Sequence, residues 1–133
     1  MKKILIVIAD YYEDISSLLL KSAKNNLNNF SLKVIKVPGV FEIPITISKN
    51  IKKYDGFIAL GCVIKGETPH FDLISKAAIN GIMELSINNK IPIGNGIITC
   101  LNKKQALERA DPKGKDIGGN AVSAVLQTLA NFK

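Results

Sequence analysis

The residues best suited to chemistry lie in one stretch, Gly61–His70, with the sequence GCVIKGETPH. A short apolar run before it, Gly56–Leu60, predicts a buried strand, and apolar residues at helical spacing after it predict a helix. A strand–loop–helix junction presents free backbone N–H groups and the positive end of the helix dipole, so it can hold an anion. The stretch ends at His70, the only histidine in the chain. We therefore expect an anion site and a proton-transferring group close together.

The same stretch nearly matches a nucleotide-binding phosphate loop. Gly61 and Gly66 have the spacing of that motif, but Glu67 stands where the motif requires a lysine. A carboxylate there would repel the β- and γ-phosphates, which argues against an ATPase or a GTPase. A site for one phosphate or carboxylate remains, because both glycines allow close approach of the backbone and Thr68 can donate a hydrogen bond.

The composition is that of a globular protein with one domain, residues 1–133, with 47% hydrophobic and 22% charged residues. The net charge of +7 raises the possibility of nucleic-acid binding. Only 6% of the residues are aromatic, and the lysines are spread along the chain, so a solvated lysine-rich surface is favoured.

The cysteines and the apolar runs predict a cytoplasmic protein. Cys62 and Cys100 have the spacing of neither a disulfide framework nor a metal site, so we expect free thiols in a reducing compartment. Each apolar run is well short of the ~20 residues of a membrane span. The first one resembles the start of a signal peptide, but Asp10 ends it early.

Four apolar runs predict strands, and they alternate with segments of helical periodicity. The predicted strands are Lys3–Ala9, Leu32–Val37, Gly56–Leu60 and Ile93–Thr99; the predicted helices are Asp14–Leu27, Pro44–Ile51, Phe71–Asn88, Lys103–Ala110 and Ile117–Asn131. This alternation predicts a three-layer α/β/α sandwich, in which helices cover both faces of a central four-stranded parallel sheet. The loops at the carboxyl ends of such strands form the binding crevice.

The candidate site residues at these strand ends also have ordinary structural interpretations. Tyr11 and Phe41 could pack against the core, and Glu42 could interact with the dipole of the helix that follows. His70 could cap a helix or belong to the core. Cys62 near His70 could be a thiol nucleophile, although no oxyanion-hole or triad signature supports that less favoured hypothesis.

The segment Lys103–Lys115 is rich in positive charge. It is either a solvated surface or a segment that folds over a bound anion. Arg109 differs from the lysines around it, because its planar guanidinium matches a phosphate with two parallel hydrogen bonds.

Four segments, in this order along the chain, resemble the 6,7-dimethyl-8-ribityllumazine synthase family. They are Val37–Pro44, Gly61–Asp72, Ile91–Thr99 and Gln105–Ala110, and the match covers nearly the whole chain. The resemblance implies a flavodoxin-like fold and the penultimate step of riboflavin biosynthesis. In that step 5-amino-6-(D-ribitylamino)uracil condenses with 3,4-dihydroxy-2-butanone 4-phosphate to give 6,7-dimethyl-8-ribityllumazine, phosphate and water. The resemblance implies neither a metal nor an organic cofactor.

The resemblance also implies a role for individual residues. His70 would donate and accept protons near neutral pH. The residues expected against the pyrimidine and its ribityl chain are Tyr11, Val40, Phe41, Glu42, Cys62, Val63, Ile64 and Asn95. The residues expected against the phosphate are Gly66, Glu67, Thr68, Arg109 and Lys113.

Members of this family form pentamers or multiples of pentamers, with each active site between two subunits. The resemblance implies that Tyr11, Phe41, Thr68 and His70 come from one subunit, and that Asn95 and Arg109 reach in from its neighbour. The product would pass to riboflavin synthase. Neither a nucleic acid nor a membrane is expected as a partner.

Several positions depart from the usual pattern of the family, among them Lys65 in place of a common arginine. Tyr11 stands where phenylalanine or tryptophan is common, and Asn95 where many members carry an aromatic residue. Ile117 stands at the place of a lysine, so Lys113 or Lys115 would have to supply that charge.

Three other classes of protein share features with the enzyme. A receiver module would share the fold, but it needs an aspartate at the end of the third strand, where Gly61 stands. A ribityl- or flavin-binding protein without catalysis would have a similar pocket, although Arg109 and His70 together favour turnover. An RNA-binding protein is the third alternative.

Overall fold

A computed structural model describes residues 1–132 of the chain. The elements in chain order are β1 (Lys3–Ala9), α1 (Glu13–Lys24), β2 (Ser31–Val37), a single 3-10 turn (Val40–Glu42), α2 (Ile43–Lys49), β3 (Gly56–Ile64), α3 (His70–Asn89), β4 (Ile93–Cys100), α4 (Lys103–Ala110) and α5 (Ile117–Asn131). The four strands are all parallel, in the order β2-β1-β3-β4. The predicted fold class is therefore confirmed.

The central strand β1 is buried on both faces, which explains its unbroken apolar sequence. Its side chains alternate between two cores, because successive residues of a strand point to opposite faces. Ile4, Ile6 and Ile8 pack in a core that includes residues of α1, α4 and α5. Leu5, Val7 and Ala9 pack in a second core with residues of α2 and α3. The helices thus form the two outer layers.

The third strand is longer than the sequence predicts. β3 continues to Ile64, whereas the apolar run predicted its end at Leu60, so the expectation that a loop begins at Gly61 is wrong. The reason is pairing with β4. This pairing continues as far as Ile64 opposite Cys100, and beyond it the Lys65 N–H donates a hydrogen bond to the Cys100 carbonyl at 2.9 Å. A partner so distant along the chain leaves no trace in the local sequence.

The helix boundaries are close to the prediction. α1 ends at Lys24 rather than Leu27, and α3 begins one residue early, at His70. α4 and α5 have the predicted bounds. Asn102 caps α4 as its sequence suggests, since its Oδ1 accepts a hydrogen bond from the Gln105 N–H at 2.9 Å. Within residues 1–132, the helices all lack the combined length and apolarity that a membrane crossing requires.

Candidate active site

A cavity of about 520 Å³ opens at the carboxyl edge of the sheet. Its lining comes from the segments that follow β1 and β2, from the end of β3 and from the start of α3. The lining residues are Tyr11, Tyr12, Pro38, Gly39, Val40, Phe41, Glu42, Cys62, Val63, Ile64, His70 and Ile74. Three separate parts of the chain that the sequence named as candidate site segments therefore meet in one place.

The cavity lies at a step in the sheet. β1 pairs with β3 only as far as Ile8 opposite Leu60, whereas β3 continues to Ile64 beside β4. The four extra residues extend β3 by about 13 Å at ~3.3 Å per residue. Within residues 1–132, the β1 side of β3 has no neighbouring strand beyond Leu60, so the backbone N–H and C=O groups on that side lack strand partners there.

A glycine allows the wall after β2 to lie directly on β3. A Cβ atom on Gly61 would lie 2.7 Å from Val40 Cγ2 and 3.3 Å from the Cβ of Ala9. Any side chain here would displace the 3-10 turn that carries Phe41 and Glu42. Gly61 therefore allows the 3-10 turn beside the cavity to pack directly against β3.

The two aromatic candidates lie at the cavity and outside the core. Tyr11 is 75% exposed and Phe41 is 60% exposed, yet both line the cavity. The interpretation of these side chains as ordinary core packing is therefore wrong. Glu42 lies at the start of α2, as the helix-dipole interpretation expected, and it also lines the cavity.

His70 is the first residue of α3, and its side chain is exposed at the cavity rim. Its backbone N–H donates a hydrogen bond to Thr68 Oγ1 at 3.4 Å. This contact connects the histidine to the turn Gly66–Thr68, which is exposed and adjoins the cavity without lining it. A Cβ atom on Gly66 would meet no atom within 4 Å, so the turn has open space around it.

The Cys62 thiol in the cavity lining and the nearby Cys100 thiol are poorly suited to nucleophilic attack. Burial, together with the neighbouring Cys100 and Asp14, raises the pKa of the Cys62 thiol to about 12. Burial also raises the pKa of Cys100, an effect that Arg109 partly opposes. The thiolate is the reactive form, and it is scarce at neutral pH when the pKa is so high. The alternative of a cysteine nucleophile is therefore disfavoured.

Comparison with known proteins identifies the family. The family model described as 6,7-dimethyl-8-ribityllumazine synthase matches residues 1–133. A protein of that name from Novosphingobium aromaticivorans is 45% identical over 134 aligned residues, with 98% of this chain and 96% of the relative covered. Another, from Zymomonas mobilis, is 42% identical and covers 100% of this chain and 97% of the relative.

The chain belongs to the 6,7-dimethyl-8-ribityllumazine synthase family. The identification made from the four sequence segments is confirmed. A solved structure, the inactive β4 tetramer of a split-gene transketolase, superimposes with a TM-score of 0.56 at 13% identity. The match covers 97% of this chain and 40% of that one, so at this identity it supports the α/β fold alone.

Three residues expected in the lumazine synthase site lie away from this cavity. Asn95 is exposed on β4 opposite Ala59, five residues before the end of β3, which is about 16 Å at ~3.3 Å per residue. Its Oδ1 accepts a hydrogen bond from the Ile97 N–H at 3.0 Å. Arg109 is half-buried on α4, where its Nη1 donates to the Gln105 carbonyl at 3.3 Å. Lys113 is exposed just after α4.

Four cavity residues have no role assigned from the sequence. Tyr12, Pro38 and Gly39 adjoin candidates in the segments after β1 and β2, so a signal for them was present. Helical periodicity predicts that Ile74 lies on the apolar face of the helix. Periodicity alone does not show that α3 begins beside a cavity.

Proposed function

We propose that this chain condenses 5-amino-6-(D-ribitylamino)uracil with 3,4-dihydroxy-2-butanone 4-phosphate to form 6,7-dimethyl-8-ribityllumazine, phosphate and water. The observation that carries the proposal is a cavity with His70, Tyr11 and Phe41 on its walls, in a chain that matches the family over its full length. The curated relatives in two bacteria bear the name of this enzyme. As a condensing enzyme the chain is a transferase.

His70 is the proposed proton donor and acceptor. The amine of the pyrimidine attacks the ketone and forms an imine with loss of water; phosphate is then eliminated, the product tautomerises, and the second nitrogen closes the ring with loss of another water. Each step moves a proton, and an imidazole can give and accept protons near neutral pH. Its exposed position at the cavity rim lets it reach a bound substrate and exchange protons with water.

The pyrimidine is proposed to lie in the step between β1 and β3. Its planar ring would contact Tyr11 and Phe41, whose exposed faces gain apolar contact when covered. Its carbonyl and N–H groups would pair with the backbone of Cys62–Ile64, where β1 no longer occupies the edge of β3. Much of the rate gain would come from holding the amine and the ketone at bonding distance.

The phosphate is proposed to bind at the turn Gly66–Thr68. The turn is exposed, has space around Gly66 and precedes the N-terminus of the long helix α3, whose dipole favours an anion. Thr68 Oγ1, which already accepts the His70 N–H, can donate its own hydrogen to the phosphate. Arg109, with Lys113, would neutralise the remaining charge from a neighbouring subunit.

A ring of five subunits is proposed as the functional assembly. Asn95 and Arg109 are outside the cavity of their own chain, so a neighbour is required if they are to contact substrate. Exposed apolar side chains on α2 and α3 offer a surface for it; they are Ile45, Leu73, Met83 and Ile87, each between 58% and 68% exposed. A ring closes when each subunit contributes one face and receives a different one.

The cytoplasm is the proposed location, and riboflavin synthase the proposed recipient of the product. Both cysteines are free and buried, as suits a reducing compartment. Neither a nucleic acid nor a membrane is proposed as a partner.

The decisive experiment mixes the purified protein with both substrates and follows the absorbance and green fluorescence of the lumazine, together with phosphate release. Product formation well above the uncatalysed rate supports the proposal. A protein that binds the pyrimidine but leaves the rate unchanged would instead be a ribityl-binding protein. Lys76→Ala, an exposed change on α3 outside the cavity, is a control for nonspecific effects of substitution.

A further inference from the structure

The ring of Tyr11 has one well-defined aromatic neighbour. Tyr11 follows β1 at the cavity and is 75% exposed, so few contacts within the chain limit its rotation. Its ring meets that of Tyr12 edge to face, with centroids 4.9 Å apart and an interplanar angle of 86°. This is a favourable geometry for an aromatic pair, because the positive edge of one ring meets the negative face of the other.

Tyr12, unlike Tyr11, is anchored in the fold. It is the residue before α1, and its carbonyl accepts a hydrogen bond from the Ser16 N–H at 2.9 Å. Its side chain is half-buried and packs against the core shared by α1, α4 and α5. Burial, followed by the nearby Cys62 and Tyr11, raises the pKa of its phenol. Tyr12 therefore contacts both the core and the exposed ring of Tyr11.

We propose that Tyr12 is a positioning residue for the pyrimidine substrate, which acts by holding the ring of Tyr11 ready to stack. A freely rotating aromatic side chain loses conformational entropy when a ligand stacks on it, and that loss weakens binding. Contact with an anchored ring removes part of the freedom before the ligand arrives. This inference rests on the proposed function, because it assumes that a planar pyrimidine binds against Tyr11.

If Tyr12 positions Tyr11, a change at Tyr12 should affect the two substrates differently. The butanone phosphate has no aromatic ring, and its proposed phosphate site is the turn Gly66–Thr68, which lies outside the cavity lining. A change at Tyr12 should therefore affect pyrimidine binding and leave both the KM for the butanone phosphate and kcat at saturation near their wild-type values. A general loss of structure would affect all of these together.

The test compares Tyr12→Leu, which removes the ring, with Tyr12→Phe, which keeps the ring and removes the hydroxyl. The dissociation constant of the pyrimidine substrate is measured by calorimetry, and both KM values are measured by lumazine formation. Tyr12→Leu is expected to weaken pyrimidine binding about 3- to 10-fold, the range of a single aromatic pair. Tyr12→Phe is expected to bind as the wild type does. Tyr12→Met replaces Tyr12→Leu if that variant fails to fold.

A double-mutant cycle with Tyr11→Leu tests whether the effect passes through Tyr11. In the Tyr11→Leu background, loss of the Tyr12 ring should weaken pyrimidine binding less than 2-fold, which is within the scatter expected for independent sites. The inference is overturned if Tyr12→Leu binds the pyrimidine normally, or if Tyr12→Phe binds it as weakly as Tyr12→Leu does. It is also overturned if the losses of pyrimidine binding caused by Tyr11→Leu and Tyr12→Leu are additive in the double variant. A wild-type protein that is inactive and binds no pyrimidine overturns the proposed function as well.

Discussion

The two sides of the candidate active site differ in how they are built. The side formed by the ends of β1, β2 and β3 is complete within one chain, with Tyr11, Phe41 and His70 around a cavity of about 520 Å³. The side expected from β4 and α4 is absent from that cavity, since Asn95 and Arg109 lie elsewhere on the same chain. One subunit therefore contains the first side by itself, whereas the second side is expected from a neighbouring subunit.

We expect the two sides of the candidate active site to have different functions. The self-contained side has His70, the proposed proton donor and acceptor, and the aromatic walls, so we expect it to bind the pyrimidine by itself. A neighbouring subunit is proposed to add Arg109, whose guanidinium can bind a phosphate through two parallel hydrogen bonds. We therefore expect damage to the first side to reduce turnover, and damage to the second to reduce affinity for the phosphorylated substrate.

The largest effect is expected from His70→Ala, on the self-contained side. Loss of the proton-transferring group should lower kcat by ~100-fold, the low end for acid–base catalysis, because the two substrates already react slowly unaided. Binding of the pyrimidine alone should stay near the wild-type value, since the walls remain. Steady-state kinetics and calorimetry measure the two quantities. Wild-type turnover in this variant would remove His70 from its proposed role.

A substitution in the wall of the cavity should reduce stability. Gly61→Ala places a Cβ atom 2.7 Å from Val40 Cγ2, and the resulting overpacking should cost about 1–3 kcal/mol in the free energy of unfolding. Gly66→Ala is the matched control, because nothing lies within 4 Å of its added Cβ, and it should change stability by less than ~0.5 kcal/mol. Denaturant titration measures both. Equal values for the two variants would contradict the described contact between β3 and the 3-10 turn.

Complementation tests whether the two sides come from different subunits. His70→Ala and Arg109→Ala proteins, each with little activity, are unfolded together and refolded into mixed rings. With random mixing, about a quarter of the boundaries pair an intact His70 with an intact Arg109 from the neighbour, and activity should rise accordingly. Each variant refolded alone is the control. Mixed rings of the expected mass that stay as inactive as their parents would place both residues in one subunit's site.

A smaller effect is expected from Arg109→Lys, on the side supplied by the neighbour. A lysine keeps the charge but lacks the paired donors, so KM for the butanone phosphate should rise about 10-fold while KM for the pyrimidine stays unchanged. Lys104→Ala, an exposed change on the same helix, should have little effect. Inorganic phosphate should compete with the butanone phosphate only, and indifference to high phosphate would argue against the turn Gly66–Thr68 as its site.

The sequence predicted the fold well because its main signals are local. The apolar run Lys3–Ala9 and the capped helix Lys103–Ala110 have the predicted bounds, since periodicity and capping depend on neighbouring residues. The extent of β3 could not be predicted, because it is set by pairing with β4 some 36 residues further along the chain.

The candidate site, like the fold, has features that the local sequence predicts and features that depend on long-range contacts. The sequence named most residues of the cavity, because they follow strand ends in a parallel sheet or match the family. It could not show that Tyr12 lies beside Tyr11 at the cavity, since a residue that precedes a helix can point to solvent or to the site. It also could not show from local pattern that Asn95 lies ~16 Å from the carboxyl edge, because the register of β4 against β3 is a property of the folded sheet.

The overhang of β3 beyond β1 determines which mutations this site can accept. A main-chain edge presents the same sequence of donors and acceptors whatever side chains it carries. Substitutions at Cys62 or Val63 therefore alter the shape of the walls but leave that pattern intact. Insertion or deletion of one residue within β3 does the opposite, because it turns every later side chain of the strand to the other face of the sheet. A ligand that pairs with this edge would therefore be recognised through the length of the strand more than through the identity of its residues.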